Sequence, residues 1–517
     1  MDITFSTMQV ILVGAVTIFL VTTILVKYLG NYRSRLPPGP RAIPVIGHLH
    51  LLIDKTRPIH QILNSLSLLY GPIMQLKFGS SPVLVINSSD LAKECFTVND
   101  KAFASRPRPA HGQHLGYNYY NLGWAPYGPY WRNARKICVL ELLSSKRIQS
   151  FRPKRMKEIC KAVYSMFQQS QLQSIVNMRN VLYQLTFKTL MAMIIDDRYF
   201  GEELGIPADL FTHLIEETLI LKGVICIGDY IPWLKWLDLQ GYEKAMKEVQ
   251  GKLDLYMRRI LDKHREKGLK EEGVMEDFID VLISQAKENG DAIPEKDAFI
   301  KATALVMIGA GSDTSSVALE WALSMLLQHP KVMNKAQEEL DSKIGRNRLV
   351  EESDIHQLQY LQAIVKETLR LHPSAPLLVP HKSIEDCILG GYHIPSGTLL
   401  MVNAWAIHRD PKEWNKPLEF IPERFTEKEI EIDNILRGND FEMIPFGAGR
   451  RGCPRASLAM CMMQTTLARL LQSFDWFVPD GRLIDMNEGI GLTAPRAMPL
   501  EVNIKPRLSH HQYQQEV

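Results

Sequence analysis

The sequence predicts a mainly α body with a small β region, standing behind an N-terminal membrane-spanning helix. Helical periodicity dominates beyond the first 45 residues, β-type runs are short and confined to two places, and one uninterrupted apolar stretch lies at the N-terminus. With 517 residues, 46% of them hydrophobic, the chain can bury a large core, and length alone leaves one large domain or two. A net charge of +3 is too mild and too dispersed for a nucleic-acid partner. Seven cysteines without paired spacing do not make a disulfide framework and fit a reducing compartment, so the body is read as cytosolic.

From Met8 to Val26 the chain carries no charge, about the length that crosses a hydrocarbon layer. Lys27, Arg33, Arg35 and Arg41 follow, whereas only Asp2 precedes, which places the body on the cytosolic side. Residues 1–30 are therefore expected to be a membrane anchor; a cleaved signal peptide would be shorter and end in a small-residue site. Residues 31–45 form a hinge around Leu36-Pro37-Pro38-Gly39-Pro40, because proline fixes φ and keeps the preceding residue extended. A generic linker fits the same residues.

In the body, Pro82-Val83-Leu84-Val85-Ile86 reads as one strand, and Tyr392-His393-Ile394-Pro395 with Thr398-Leu399-Leu400-Met401-Val402 as a second group. Charge density peaks between Asp262 and Asp277, interrupted by Gly268 and Gly273, which suggests a solvated connection. An apolar pattern from about Glu295 to Gln328, closed by His329-Pro330, predicts a single helix of about 50 Å. Its middle, Ala310-Gly311-Ser312-Asp313-Thr314, groups poor helix formers. An ordinary kinked helix is one explanation. The other is chemical: Gly311 opens a groove for a diatomic ligand, the Thr314 hydroxyl back-bonds to Ala310 or to water, and Asp313 relays protons. Helical steps back from Thr314 put Ala310, Met307 and Thr303 on the same face. The tail, residues 506–517, is polar and expected to be disordered.

Near the C-terminus, Pro445-Phe446-Gly447-Ala448-Gly449-Arg450-Arg451-Gly452-Cys453 places one thiol in a glycine-loosened loop ahead of a hydrophobic helix. Glycines let the backbone approach a flat cofactor, and the helix N-terminus favours an anionic sulfur. A buried structural cysteine is the alternative. Zinc is disfavoured, because Cys461 has neither the spacing nor the companions of a tetrahedral site.

The spacing Phe446, Gly449, Arg451, Cys453 resembles the haem-ligand loop of the cytochrome P450 family, and the Ala310–Thr314 cluster resembles its oxygen-activation motif. The resemblance implies a cytochrome P450 fold with a single haem domain over residues 46–505, haem b held by Cys453, and proton delivery through Asp313 and Thr314. It also implies propionate contacts from Trp131, Arg135, His381 and Arg451, with Arg106 as a further candidate, and a structural ion network of Glu367, Arg370 and Arg424. Thr303, Met307, Ala310, Gly311, Leu377 and Leu378 would line the substrate pocket. One position departs from the pattern: Arg455 stands where the family has Gly. If the backbone there needs a positive φ, a β-carbon costs on the order of 1 kcal/mol, and the long cation must exit to solvent or to a propionate.

Trp124-Ala125-Pro126-Tyr127-Gly128-Pro129-Tyr130-Trp131-Arg132 and Gly228-Asp229-Tyr230-Ile231-Pro232-Trp233-Leu234 resemble the plant microsomal A-type branch. That implies a single-pass endoplasmic reticulum protein that inserts one oxygen atom from O2 into a lipophilic secondary metabolite. Electrons would come from NADPH through NADPH-cytochrome P450 reductase. Arg132 and Lys136 could face that acidic donor or simply be solvated. Tyr117, Tyr119 and Tyr120 could stack on an aromatic substrate or pack their loop. Two rivals share these residues: a haem-thiolate isomerase or dehydratase, and a non-catalytic haem- or partner-binding membrane protein in which Arg455 impairs the loop.

Overall fold

The computed structural model describes residues 14, 17, 36–53, 57–196, 208–267, 277–289, 293–427 and 432–514. The expected anchor lies outside these residues apart from 14 and 17, and among the described residues no helix is long and apolar enough to cross a membrane. The Pro-rich segment is pinned rather than free. Gln75 N–H donates to the Pro38 carbonyl at 2.8 Å, and a Cβ on Gly39 would lie 2.0 Å from the Gln75 oxygen, so only glycine lets the two strands of backbone meet.

The body is mostly helical. In chain order its principal elements are α1 (Ile59–Tyr70), β1 (Ile73–Phe78), β2 (Ser81–Ile86), α2 (Pro129–Ile137), α3 (Arg152–Gln171), α4 (Met178–Ile194), α5 (Tyr242–Lys267) and α6 (Phe278–Glu288). They continue with α7 (Lys296–Gln328), α8 (Gln359–Leu371), β3 (His381–Lys382), β4 (Leu399–Val402), α9 (Ala456–Ser473), β5 (Phe474–Phe477), β6 (Glu501–Pro506) and α10 (His510–Gln514).

Of the strand groups expected from the sequence, Pro82–Ile86 and the Leu399–Val402 part of the second meet in one sheet of order β1-β2-β4-β3, whereas Tyr392–Ile394 pairs with Cys387–Leu389 in a separate two-stranded sheet. β2 and β4 run parallel, with Val83 opposite Leu399, although more than three hundred residues separate them. β1 was not anticipated; its Ile-Met-Gln-Leu-Lys-Phe run pairs antiparallel with β2. A further sheet puts β6 between β5 and the pair Val176–Asn177.

α7 spans the residues expected of it and is buried along most of its length, so it carries no polar stripe. It packs against α4 on one side and α8 and α9 on the other. Its buried Glu320 is satisfied by the Leu500 amide at 2.9 Å and by Arg179 at 3.1 Å. Trp321 stacks on His372 at 3.8 Å between ring centroids.

The tail corrects an expectation. His510–Gln514 is helical, and Tyr513, 3% exposed, stacks on Phe167 at 4.3 Å and donates to the Ser473 carbonyl at 2.5 Å. Its polar composition concealed one aromatic residue with a slot to fill.

Candidate functional site

Cys453 ends a loop held by its own hydrogen bonds: its amide donates to the Phe446 carbonyl at 2.8 Å, and α9 starts three residues later. Gly447 and Gly449 both have positive φ, 69° and 64°. Only Gly447 borders the cavity; a Cβ on Gly449 would lie 2.5 Å from Asp100, whose carboxylate accepts from the Arg450 amide at 3.0 Å. Gly449 thus anchors the loop's outer side and does not face a cofactor. The accessible surface of Cys453 is cavity surface, deep inside the fold. Burial raises its thiol pKa, while the Arg455 amide and the charges of Arg455 and Arg135 oppose that rise.

The cavity measures about 280 Å³ and lies between this loop and the middle of α7, where Val306, Met307, Ala310, Gly311 and Thr314 line it. Leu122, Leu378 and Val379 close its sides. Leu377 packs instead with Phe78, Val83 and Leu399 beside the sheet. Thr303 shares the helical face of Ala310 but lies about 10 Å further along the axis, where it is buried outside the cavity.

Three guanidiniums gather at one edge. Arg451 donates to the Ala104 and Ala125 carbonyls at 2.6 Å each and lies 4.0 Å from the Trp131 ring centroid. Arg135 donates to Gly452 at 2.8 Å and Arg106 to Pro380 at 2.9 Å. Burial first, then mutual repulsion, pulls Arg106 down to about 9 and Arg451 to about 8. Among the described residues no carboxylate pairs with any of the three. His381 Nδ1 faces the Phe103 carbonyl at 2.8 Å, and burial holds its pKa well below the ordinary value. Trp131 spends its indole N–H on the Leu122 carbonyl at 3.1 Å, so it serves as a platform for the guanidiniums rather than as a donor to a cofactor.

On α7, the Thr314 hydroxyl donates to the Ala310 carbonyl at 2.8 Å, as its spacing predicts. Asp313 does not line the cavity. Its Oδ2 accepts the Thr493 hydroxyl at 2.9 Å, and burial raises its pKa against the lowering effects of Thr493 and Arg179. This partner could not be found locally, since nothing in either segment signals the other.

Behind the loop, Glu367 is fully enclosed and accepts Arg370 at 2.7 and 2.8 Å, Arg424 at 3.1 Å and the Ile421 amide at 2.9 Å. Arg370 also donates to the carbonyls of His408 and Pro417. The expected triad therefore fastens the 408–424 segment to α8.

The haem implied by the resemblance meets a mixed reception. The thiol, the apolar walls and a cluster of buried cations without an anion suit a flat cofactor bearing two carboxylates. Arg455 does not. Its backbone is unstrained, with φ −105°, and its side chain goes neither to solvent nor to the rim. It crosses the cavity to α7, donating to the Met307 carbonyl at 2.7 Å.

A model of the cytochrome P450 family matches residues 37–500. A xanthotoxin 5-hydroxylase from Arabidopsis thaliana is 43% identical over 91% of this chain and 93% of its own, and an isoflavone 3'-hydroxylase from Medicago truncatula is 40% identical over 94% and 96%. A zebra fish cytochrome P450 solved with abiraterone superposes with a TM-score of 0.72 at 27% identity, covering 87% of this chain and 99% of that one. The match runs along almost the whole length and includes the loop that presents the thiol: the chain belongs to the cytochrome P450 family and is a monooxygenase of its plant branch.

Proposed function

We propose that this protein hydroxylates a lipophilic plant secondary metabolite, using O2 and electrons from NADPH delivered by NADPH-cytochrome P450 reductase. One observation carries the reading: the Cys453 thiol lies across a cavity from the middle of α7, and the edge of that cavity holds three guanidiniums that no carboxylate among the described residues pairs with. Haem, held by Cys453 with its carboxylates toward Arg106, Arg135, Arg451 and His381, would supply the oxygen-activating redox chemistry for which this family's thiolate is known.

The chain's own residues do the rest. Leu122, Val306, Leu378 and Val379 bind an apolar substrate and exclude water. Thr314 holds its hydroxyl at the cavity through the Ala310 carbonyl, and Asp313, one residue away and held by Thr493, takes part in proton delivery. The hydroxylase names of two relatives support an aromatic or similarly flat substrate. Tyr119 lies under Arg108 and Tyr120 against Tyr130, contacts that support the packing of their loop over stacking on a substrate.

The anchor in residues 1–30, the hinge in 31–45 and an endoplasmic reticulum location complete the proposal. Trp233 and Trp236, 64% and 80% exposed, and Val45, 63% exposed, support an apolar underside resting on a bilayer. The exposed cations Arg132 and Lys136 on α2 suit an acidic reductase. Microsomes containing the full chain and a reductase should convert at least one member of a panel of flavonoids, phenylpropanoids, alkaloids and terpenoids to a product with one added oxygen, only with NADPH. Turnover of hydroperoxides alone, without NADPH, would sink this reading.

A further inference from the structure

Arg455 is buried, 7% exposed, yet among the described residues only Nη1 finds an acceptor, the Met307 carbonyl, while Nε and Nη2 find no hydrogen-bond partner there. The guanidinium is pressed into the notch of α7 left by the missing side chain at Gly311, since a Cβ there would stand 1.5 Å from Nη1. The side chain thus runs from the foot of the Cys453 loop to the opposite wall of the cavity. A macrocycle lying over the thiol and under Gly311 would need the same space.

We propose that Arg455 is an internal occupant of the cofactor slot, bridging the thiol loop and α7 in the haem-free protein, so that haem enters only by displacing it. This rests on the reading of Cys453 as the haem ligand. Two features argue for displacement rather than permanent closure. The unpartnered Nε and Nη2 mean that the guanidinium leaves a site that does not satisfy it. Its flexible stem can also swing without moving the backbone, whose φ of −105° is ordinary. Haem retention is accordingly set by competition with a residue of the same chain, and the haem-free form is more than an unfolded precursor.

The test uses full-length protein expressed under haem limitation and titrated with hemin, comparing the parent with Arg455→Gly and Arg455→Ala. Two variants guard against a helix-start defect in one of them. Both should bind hemin at least tenfold more tightly than the parent, and both haem-free variants should melt below the haem-free parent because the bridge to α7 is gone. Affinities equal to the parent's, with a thiolate-type band in the reduced-CO difference spectrum, would overturn the role of Arg455 and leave the thiolate reading intact. The same band persisting in a Cys453→Ser, Arg455→Gly double variant would overturn the thiolate reading and this proposal with it.

Discussion

The hydroxyl of Thr493 donates to Oδ2 of Asp313 at 2.9 Å, tying the centre of α7 to a loop 180 residues further along the chain. The carboxyl is buried, and burial already raises its pKa; the hydrogen bond from Thr493 and then the charge of Arg179 hold the rise in check. Thr493→Val should therefore raise the pKa further, and, on the proposed role of Asp313 in proton delivery, one limb of the pH–turnover profile should move to higher pH. Turnover should fall several-fold, well short of the roughly 10²–10⁴-fold expected when a general acid is removed outright, as in Asp313→Asn. Thr493→Ser should restore the parent profile. A loss of turnover in Thr493→Val with an unmoved profile would show that Thr493 only packs.

Glu367 bears on folding instead. It is fully enclosed and accepts from two guanidiniums and a backbone amide, so removing it strands Arg370 without its counter-charge inside the protein. Breaking such a buried pair from one side costs about 3–5 kcal/mol. Glu367→Ala should lower the yield of folded, haem-loaded protein and its melting temperature together. A stable, haem-replete but inactive variant would instead make Glu367 part of the chemistry.

These two sites mark the boundary of what the sequence discloses. Glu367 and Arg370 are three apart on one helix, and α7 announces both its ends through Glu295 and Pro330, so both are local patterns and both are found where expected. Asp313 and Thr493 are joined only by the path of the chain. Thr303 was misplaced because helical phase fixes a face but not a height along the axis. Arg455 was flagged by its position, yet the direction of its side chain depends on the notch at Gly311 across the cavity, which no linear motif encodes. The tail failed for the opposite reason: its composition is polar, and a single aromatic side chain decides its fate.

Tyr513 supplies the test of that last point. It is buried against Phe167 and Phe474, and its hydroxyl reaches Ser473 at the end of α9. Tyr513→Ala should cost about 3–5 kcal/mol, as for other large aromatic deletions in a core. Tyr513→Phe should cost less, about 1–3 kcal/mol, since it removes the two hydrogen bonds its hydroxyl makes, to the Ser473 carbonyl and from the Leu508 amide. Denaturant unfolding of the two variants measures both, and a Tyr513→Ala protein as stable as the parent would return the tail to the disordered state its composition suggests.

His264 gives the protein a pH-dependent joint between α5 and α6. Its Nδ1 faces the Ile260 carbonyl at 2.7 Å and its Nε2 the Asp277 carboxylate at 2.9 Å, so both ring nitrogens meet acceptors and the imidazolium is the form that satisfies both. Burial works to lower its pKa, but the hydrogen bond and charge of Asp277 and the Ile260 carbonyl outweigh it, and the net shift is upward from 6.5. A raised folded-state pKa means that the stabilisation is fully present below 6.5, where the unfolded chain also holds the proton, and is lost as pH rises through the folded value. Asp277 also caps α6 through the Asp280 amide at 3.0 Å, so loss of the cation leaves a capping carboxylate buried without its counter-charge. Urea unfolding of the parent from about pH 6 to about pH 9 should show stability declining on the alkaline side. In His264→Gln that decline should largely disappear, and the variant should lie about 1.5–3 kcal/mol below the parent at the acidic end, converging with it as pH rises. An offset that stays the same at every pH would mean that His264 acts by packing alone.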